Sequence, residues 1–315
     1  MIYGYAGKVL RVNLTDHTMY DQVIPEEMLR QYLGGSGLGA RLLYDETDSS
    51  TDPLGPENIL IFLTGPIEGT KVPNAGRYEV ISRSPLTGSY GEANSGGKWG
   101  MKLKQAGYDG VIFSGISERP VYLYLKDGVP ELLDAGELWG KDTYETDRIL
   151  REKYGNKACT CGIGVAGEKM SRLAAIMNDG EDARAAGRCG LGAVMGSKRV
   201  KAICVDGTMK TPLANEEALN QSIAISIGQD ADDDVLQQFT GNRELVLQAN
   251  NPQALVKMIK WASTAASLVS APASRPKEMD VVPAGNNTPS ATNAPLVLDM
   301  NNIPDPGSIG ANDVW

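Results

Sequence analysis

Arg77-Tyr78-Glu79-Val80-Ile81-Ser82 reads as a short strand, and Lys98-Trp99-Gly100-Met101-Lys102-Leu103-Lys104-Gln105-Ala106 as a short helix. Between them stands the glycine-rich Asn94-Ser95-Gly96-Gly97, and Gly110 to Ser114 follows as another apolar strand. The same grain runs outward in both directions. Lys8 to Leu14 alternates at period two and meets the turn cluster Thr15-Asp16-His17-Thr18, which predicts a hairpin strand. Glu26 to Leu33 is helix-like and ends at Gly34-Gly35, a C-cap pattern. Asn58 to Leu63 is a buried strand stopped by Thr64-Gly65-Pro66. Val121 to Leu125 leads into the hairpin turn Lys126-Asp127-Gly128, Thr143 to Tyr154 is an amphipathic helix, and Lys201 to Val205 closes the series as a strand. Many short strands, glycine-rich turns and few helices predict an α+β fold rather than a doubly wound sheet.

The pattern breaks near residue 210. Of the 36 glycines, 31 lie at or before Gly207, whereas 9 of the 17 prolines lie after it. Beyond Lys210 there are 5 basic and 12 acidic residues, so most of the net charge of −9 belongs to the last third. Ile223 to Ile227 is β-rich, and Pro252 to Leu268 carries Leu255, Ile259, Ala262 and Ala266 at helical spacing. From Ala271 onward, Pro, Asn, Ser and Ala dominate and Trp315 is the sole aromatic residue, a composition expected to stay disordered. The expected division is therefore 1–215, 216–270 and 271–315.

The acidic balance argues against nucleic acid or an anionic membrane as the main partner. No run approaches the ~18 apolar residues of a spanning helix. Met1-Ile2-Tyr3-Gly4-Tyr5 lacks the basic head and apolar core of a signal peptide. Four cysteines in 315 residues make no disulfide framework, so a cytoplasmic setting is expected. One histidine, His17, excludes metal sites built on several.

Three glycine-rich stretches bear on chemistry. Gly34 to Ala40 holds a formal G-x-G-x-x-A, but it follows a helix-like segment rather than a strand, and a packing turn is the better reading. Asn94-Ser95-Gly96-Gly97 precedes a helix, so its amides could meet an anion, with Arg77 as a bidentate phosphate contact. An ordinary turn beside a surface arginine fits equally well. The densest stretch is Arg184-Ala185-Ala186-Gly187-Arg188-Cys189-Gly190-Leu191-Gly192, running on to Ser197-Lys198. Two arginines among small residues suit a phosphorylated cofactor, and the competing reading is a glycine-packed helix with solvated arginines. Cys159-Thr160-Cys161 offers only two metal ligands, and buried thiols acting as small hydrophobes are expected there and at Cys204. Asp230, Asp232, Asp233 and Asp234 lack the EF-hand glycine and glutamate spacing and read as a helix start.

Taken in order, these stretches resemble the N-terminal domain of the tungsten-containing aldehyde ferredoxin oxidoreductases over roughly residues 1–220. The matching text includes Gly65-Pro66, Gly76-Arg77-Tyr78, Ser84-Pro85-Leu86-Thr87-Gly88, Ala93-Asn94-Ser95-Gly96-Gly97, Ala106-Gly107-Tyr108-Asp109, Gly164-Val165-Ala166-Gly167-Glu168 and Ala174 to Gly180, with the arginine–glycine stretch to Lys198. The resemblance implies a two-sheet domain beneath a tungsten (or molybdenum) atom held by two pterin dithiolenes. It implies that Arg77, Asn94, Ser95 and Gly96 lie against one pterin, and Arg184, Ala185, Gly187 and Arg188 against the other. Mg²⁺ would bridge the pterin phosphates through the backbone carbonyls of Asn94 and Ala185. No residue of this stretch is implied as catalytic.

The family's [4Fe–4S] cluster is held by a C-x-x-C-x-x-x-C run and a more distant cysteine, and neither occurs here. Cys189 stands where many relatives have glycine. Ile223 to Ser263 resembles instead the C-terminal end of a von Willebrand factor A domain, without its D-x-S-x-S motif. The leading expectation is an oxidoreductase of this family, converting an aldehyde and water to a carboxylate with electrons passing to ferredoxin or an iron–sulfur partner subunit. Without the cluster-binding parts it is expected to be incomplete. The alternatives are a non-catalytic pterin-binding or interaction module and an inactive fusion fragment. A small aldehyde is the implied substrate, and assembly into a homo-oligomer is left open.

Overall fold

The structure, a computed structural model, describes residues 2–70, 72 and 75–216, together with the backbone of 224–227 and 246–249. The first half of the described chain runs β1 (Lys8–Asn13), β2 (Thr18–Val23), α1 (Glu26–Tyr32), α2 (Gly35–Glu46), β3 (Leu60–Leu63), β4 (Arg77–Arg83), β5 (Tyr90–Gly96), α3 (Trp99–Gln105) and β6 (Gly110–Ser114). The second runs β7 (Val121–Lys126), β8 (Val129–Asp134), α4 (Thr143–Tyr154), β9 (Cys159–Gly162), α5 (Val165–Glu168), β10 (Ile176–Asn178), β11 (Arg184–Ala186), α6 (Leu191–Ser197) and β12 (Val200–Asp206).

Each half builds one six-stranded sheet, in the orders β2-β1-β6-β3-β4-β5 and β8-β7-β12-β9-β10-β11. The two follow one plan. A hairpin comes first (β1/β2, β7/β8), and its first strand pairs in parallel with the last strand of the half (β1/β6, β7/β12). An antiparallel run to the far edge completes each sheet. The α+β expectation holds, and the internal repeat of topology is an addition to it.

Alternation along the strands sorts the core into three layers. Leu10, Phe62, Tyr78, Val80 and Phe113 of the first sheet pack with Leu123, Cys161, Ile176, Ile203 and Val205 of the second, joined by Trp99 of α3 and Leu191 and Val194 of α6. The outer face of the first sheet, through Val9, Ile61, Ile81 and Ile112, packs with Leu29 of α1 and Leu38 and Leu42 of α2. Tyr122, Tyr124, Ala202 and Cys204 do the same with Leu150 of α4. Cys159 and Cys161 sit two apart on β9 and belong to one cluster, so they serve as small hydrophobes.

Local chemistry explains several boundaries. The β7–β8 hairpin turns on Asp127 and Gly128, both at positive φ (42° and 87°), as a two-residue primed turn requires. The α4 helix opens on Asp142, whose carboxylate accepts the Glu145 amide, and stops at Gly155, φ 102°. Glycine runs that read as turns are instead packing surfaces. Gly35 opens α2, and a β-carbon on Gly39 would lie 2.5 Å from Ile81 Cδ1 of β4. The G-x-G-x-x-A stretch thus opens a helix but follows another helix; Gly35 and Gly39 admit β4, and Gly37 admits the Tyr32 carbonyl at the end of α1.

Beyond residue 216, only the backbone of β13 (Ala224–Ile227) and β14 (Val246–Ala249) is described, and the two pair in parallel. The helix expected over Pro252–Leu268, most of the A-domain-like segment, the aspartate run and the tail from Ala271 lie outside the described residues. Among the described residues, no helix is long and apolar enough to cross a membrane.

Candidate functional site

The edge strands of the two sheets, β5 and β11, lie beside each other. This brings the two arginine–glycine stretches together. On β4 and β5, Arg77 pairs with Gly96 and Glu79 with Asn94 in register, and the Arg77 guanidinium donates to Asn94 Oδ1, through Nε at 3.1 Å and through Nη2. Arg77 and Asn94 are exposed, whereas Ser95 turns inward and is buried. On the other side, Arg184, Ala185, Gly187 and Arg188 are all exposed. Arg184 and Ala185 pair with Asn178 and Met177 of β10.

One expectation is corrected. Asn94, Ser95 and Gly96 belong to a strand, and α3 begins only at Trp99. The Lys98 amide at its start is taken by Asp179 Oδ2 at 2.6 Å. The open helix N-terminus proposed for an anion is therefore occupied by a side chain of the second sheet. What remains available is the guanidinium chemistry. Among the described residues, neither Arg184 nor Arg188 has a side-chain hydrogen bond or ion pair, so both forks are free for an anion. At Gly187 a β-carbon would come no nearer than 3.9 Å to a neighbour, which leaves room for close approach of a ligand.

Sequence reasoning missed what holds the two sides at their spacing. Asn178, at the end of β10, is 2% exposed. Its Oδ1 accepts from Ser95 Oγ at 2.6 Å and from the Tyr78 hydroxyl at 3.0 Å. Its Nδ2 donates to the Gly96 carbonyl and to Asp179 Oδ2, both at 3.0 Å. The only sequence signal is a polar Asn178-Asp179-Gly180 ending the apolar Ile176-Met177. Cys189 adds a second tie. Its carbonyl accepts from Ser84 Oγ at 2.7 Å, and its φ of 60° is the left-handed region that glycine occupies without strain.

Two carboxyls near the site hold protons unusually well. Burial, then the neighbouring Glu92, pushes Glu79 up to about 7, with Arg77 pulling the other way. Glu68 is 1% exposed, and among the described residues neither of its oxygens has a hydrogen-bond partner of ordinary geometry, the Arg77 amide being a weaker neighbour. Burial pushes it up to about 7 although Lys104 opposes this. The folded state thus binds the Glu68 proton more tightly than the unfolded chain, whose carboxyl has the ordinary value of 4.5. Stability from this group is fullest below pH 4.5 and falls as pH rises toward 7, by about 3 kcal/mol. In Glu68→Gln, that part of the slope in urea stability between pH 4.5 and 7 is expected to vanish. An unchanged slope would assign the titration elsewhere.

The sequence family described as aldehyde ferredoxin oxidoreductase, N-terminal domain, matches residues 9–207. The tungsten-containing aldehyde ferredoxin oxidoreductase of Pyrococcus abyssi is 49% identical over 216 residues, covering 68% of this chain and 35% of that protein. A protein of Pyrococcus furiosus described as aliphatic sulfonate oxidoreductase, WOR-like subunit, is 35% identical over 227 residues, 67% of this chain and 36% of its own length. Among solved structures, the active site complex BamBC of benzoyl coenzyme A reductase with 1,5-dienoyl-CoA is similar at a TM-score of 0.65 and 37% identity, over 67% of this chain and 32% of that one. The chain spans about a third of the length of the curated relatives it matches.

Proposed function

Because the chain belongs to the aldehyde ferredoxin oxidoreductase family through its N-terminal domain, we propose that residues 1–215 form the platform for a bis-pterin tungsten cofactor. Arg77, Asn94 and Gly96 face one pterin, with the side chain of Ser95 turned inward behind them, and Arg184, Ala185, Gly187 and Arg188 face the other. The backbone carbonyls of Asn94 and Ala185 would hold a Mg²⁺ ion, which would offset the phosphate charge. The residues present fit such a group. Free guanidiniums suit phosphate, a glycine leaves the approach open, and both carbonyl-bearing residues are exposed. Since the pterins hold the metal, molybdenum in place of tungsten would meet the same side chains.

When bound, the cofactor supplies the two-electron chemistry by which an aldehyde and water give a carboxylate. The chain's own part is placement: the guanidiniums bind and orient the phosphates, and the paired sheet edges fix where the two pterins sit. Electron exit requires a group that the described residues do not hold, since they contain no cluster of three or more His, Cys, Asp or Glu able to bind a metal. We assign that part, and the cover over the substrate, to a partner subunit or to further domains, with ferredoxin as acceptor. Relatives named as a subunit and as an active site complex support the subunit reading. The four free thiols favour a reducing, cytoplasmic setting.

What carries this reading is the pair of unpaired guanidiniums on β11 and its following turn, set beside the Arg77–Asn94 pair at the adjoining sheet edge. Elemental analysis of the anaerobically purified chain tests it. Tungsten or molybdenum near one equivalent, with phosphorus and without iron, is the expected result. Metal-free, phosphorus-free protein would remove the platform reading. The loaded chain alone is expected to give negligible aldehyde-dependent dye reduction, and sustained turnover would overturn the assignment of electron exit to a partner.

A further inference from the structure

We infer that Asn178 is the positioning residue that sets the spacing between the two halves of the cofactor platform, an inference resting on the platform reading above. The geometry is particular to this side chain. Asn178 is backbone-paired with Arg184 across β10 and β11, which ties it to the second cradle. Its carboxamide crosses to the other sheet and holds Ser95 Oγ and the Gly96 carbonyl of the first cradle. Each cradle is thereby fastened to the same residue, once through the main chain and once through the side chain.

The amide is also fully used. Its oxygen accepts two bonds, from Ser95 and Tyr78, and its nitrogen donates two, to Gly96 and Asp179. With Tyr78 and Ser95 each 1% exposed, the oxygen side of the amide is shielded from solvent, so a partner lost there is not readily replaced. An amide of this length is the group that can accept from two hydroxyls and donate to a carbonyl at once. Alanine removes all four bonds, and aspartate keeps the acceptors but meets the Gly96 carbonyl with lone pairs. Glycine at position 97 is required by the same junction, since a β-carbon there would run into the Asp179 carboxylate. Asp179 completes the clamp by holding the Lys98 amide at 2.6 Å. Asn178 touches no ligand itself; it acts through Ser95, Gly96 and Arg184.

Calorimetric titration of the full chain with magnesium pyrophosphate, a probe for the paired phosphates, separates positioning from general stability. Asn178→Ala is expected to bind the probe about tenfold more weakly than wild type, the usual size of the effect of a supporting partner one step removed from a bound group. Leu123→Ala, a core truncation away from both cradles, serves as a control for lost stability and is expected to bind as wild type does. Tyr78→Phe frees one bond to the amide while keeping the ring in place. It is expected to weaken binding about threefold, and it answers the question if Asn178→Ala does not fold. Binding by Asn178→Ala or Tyr78→Phe equal to wild type, with wild type binding the probe, would overturn the positioning role and leave the platform standing. A wild-type chain that binds no probe would overturn the platform and this inference with it.

Discussion

Glu168→Ala is expected to cost about 3–5 kcal/mol of folding stability, a large share of the roughly 5–15 kcal/mol a domain possesses. Glu168 closes α5 with its carboxylate 2.5 Å from Lys201 Nζ on β12, and the two side chains are 3% and 0% exposed. The carboxylate also accepts the Gly140 amide, at 3.0 and 2.9 Å, while Lys201 gives a second bond to the Lys141 carbonyl at 2.7 Å. Burial lowers the pKa of Lys201, and Glu168 is the main group opposing that shift. Without the carboxylate, an ammonium is left in the interior with one hydrogen bond, to the Lys141 carbonyl, and only the more distant charges of Asp142 and Glu145 to offset it. Urea unfolding of Glu168→Ala beside the pair Glu168→Leu/Lys201→Met separates the causes. The double variant should recover most of the loss, because an apolar pair strands no charge. A single-variant loss below about 1 kcal/mol would show that Lys201 finds another partner or sheds its proton at no cost.

Replacing both Arg184 and Arg188 by alanine is the second large effect, and it falls on binding. Each charge-assisted contact to a phosphate contributes about 1.5–3 kcal/mol, so losing both should weaken retention of a phosphorylated cofactor by about 10²–10⁴-fold. Folding should be unaffected, since both side chains are exposed and have no protein partner among the described residues. Tungsten and phosphorus per folded chain after gel filtration, read against an unchanged thermal transition, is the measurement. Lysine at both positions should restore only part of the binding, for it keeps the charge and loses the planar fork. Full retention by the double alanine variant would place the phosphates elsewhere.

Much of the fold was legible wherever a local rule decides the outcome. Asp142 and Gly155 bracket α4, and Asp127-Gly128 turns the β7–β8 hairpin, because capping and left-handed backbone are properties of single residues. Among the elements that escaped notice, α2 and β5 did so for the opposite reason. Gly35, Gly37 and Gly39 give α2 poor intrinsic helicity, and it forms because β4 packs where side chains on Gly35 and Gly39 would be and the end of α1 where one on Gly37 would be. Gly91, Asn94 and Gly96 are weak strand formers, and β5 exists because β4 offers it a seven-residue ladder. In the site, residue type alone flagged the arginines. The work of Asn178 could not be seen, because its partners on the other sheet stand 82 to 100 positions away. Position 189 is clearer in the structure than in the sequence: the left-handed backbone there explains why glycine suits it.

The repeated topology of the two sheets has a consequence for kinetics. Strands β5 and β11 hold equivalent places in their halves, so the proposed platform, with one cradle at each, would be bivalent toward a ligand with two like arms. Once one arm is seated, the other meets its cradle at an effective concentration set by the spacing of the strands, without a second diffusional encounter. Departure then requires both arms to let go within the same short interval. Such a chelate is slow to leave even when each arm alone is weakly held, and anything that shifts the two cradles apart shortens residence before it abolishes binding.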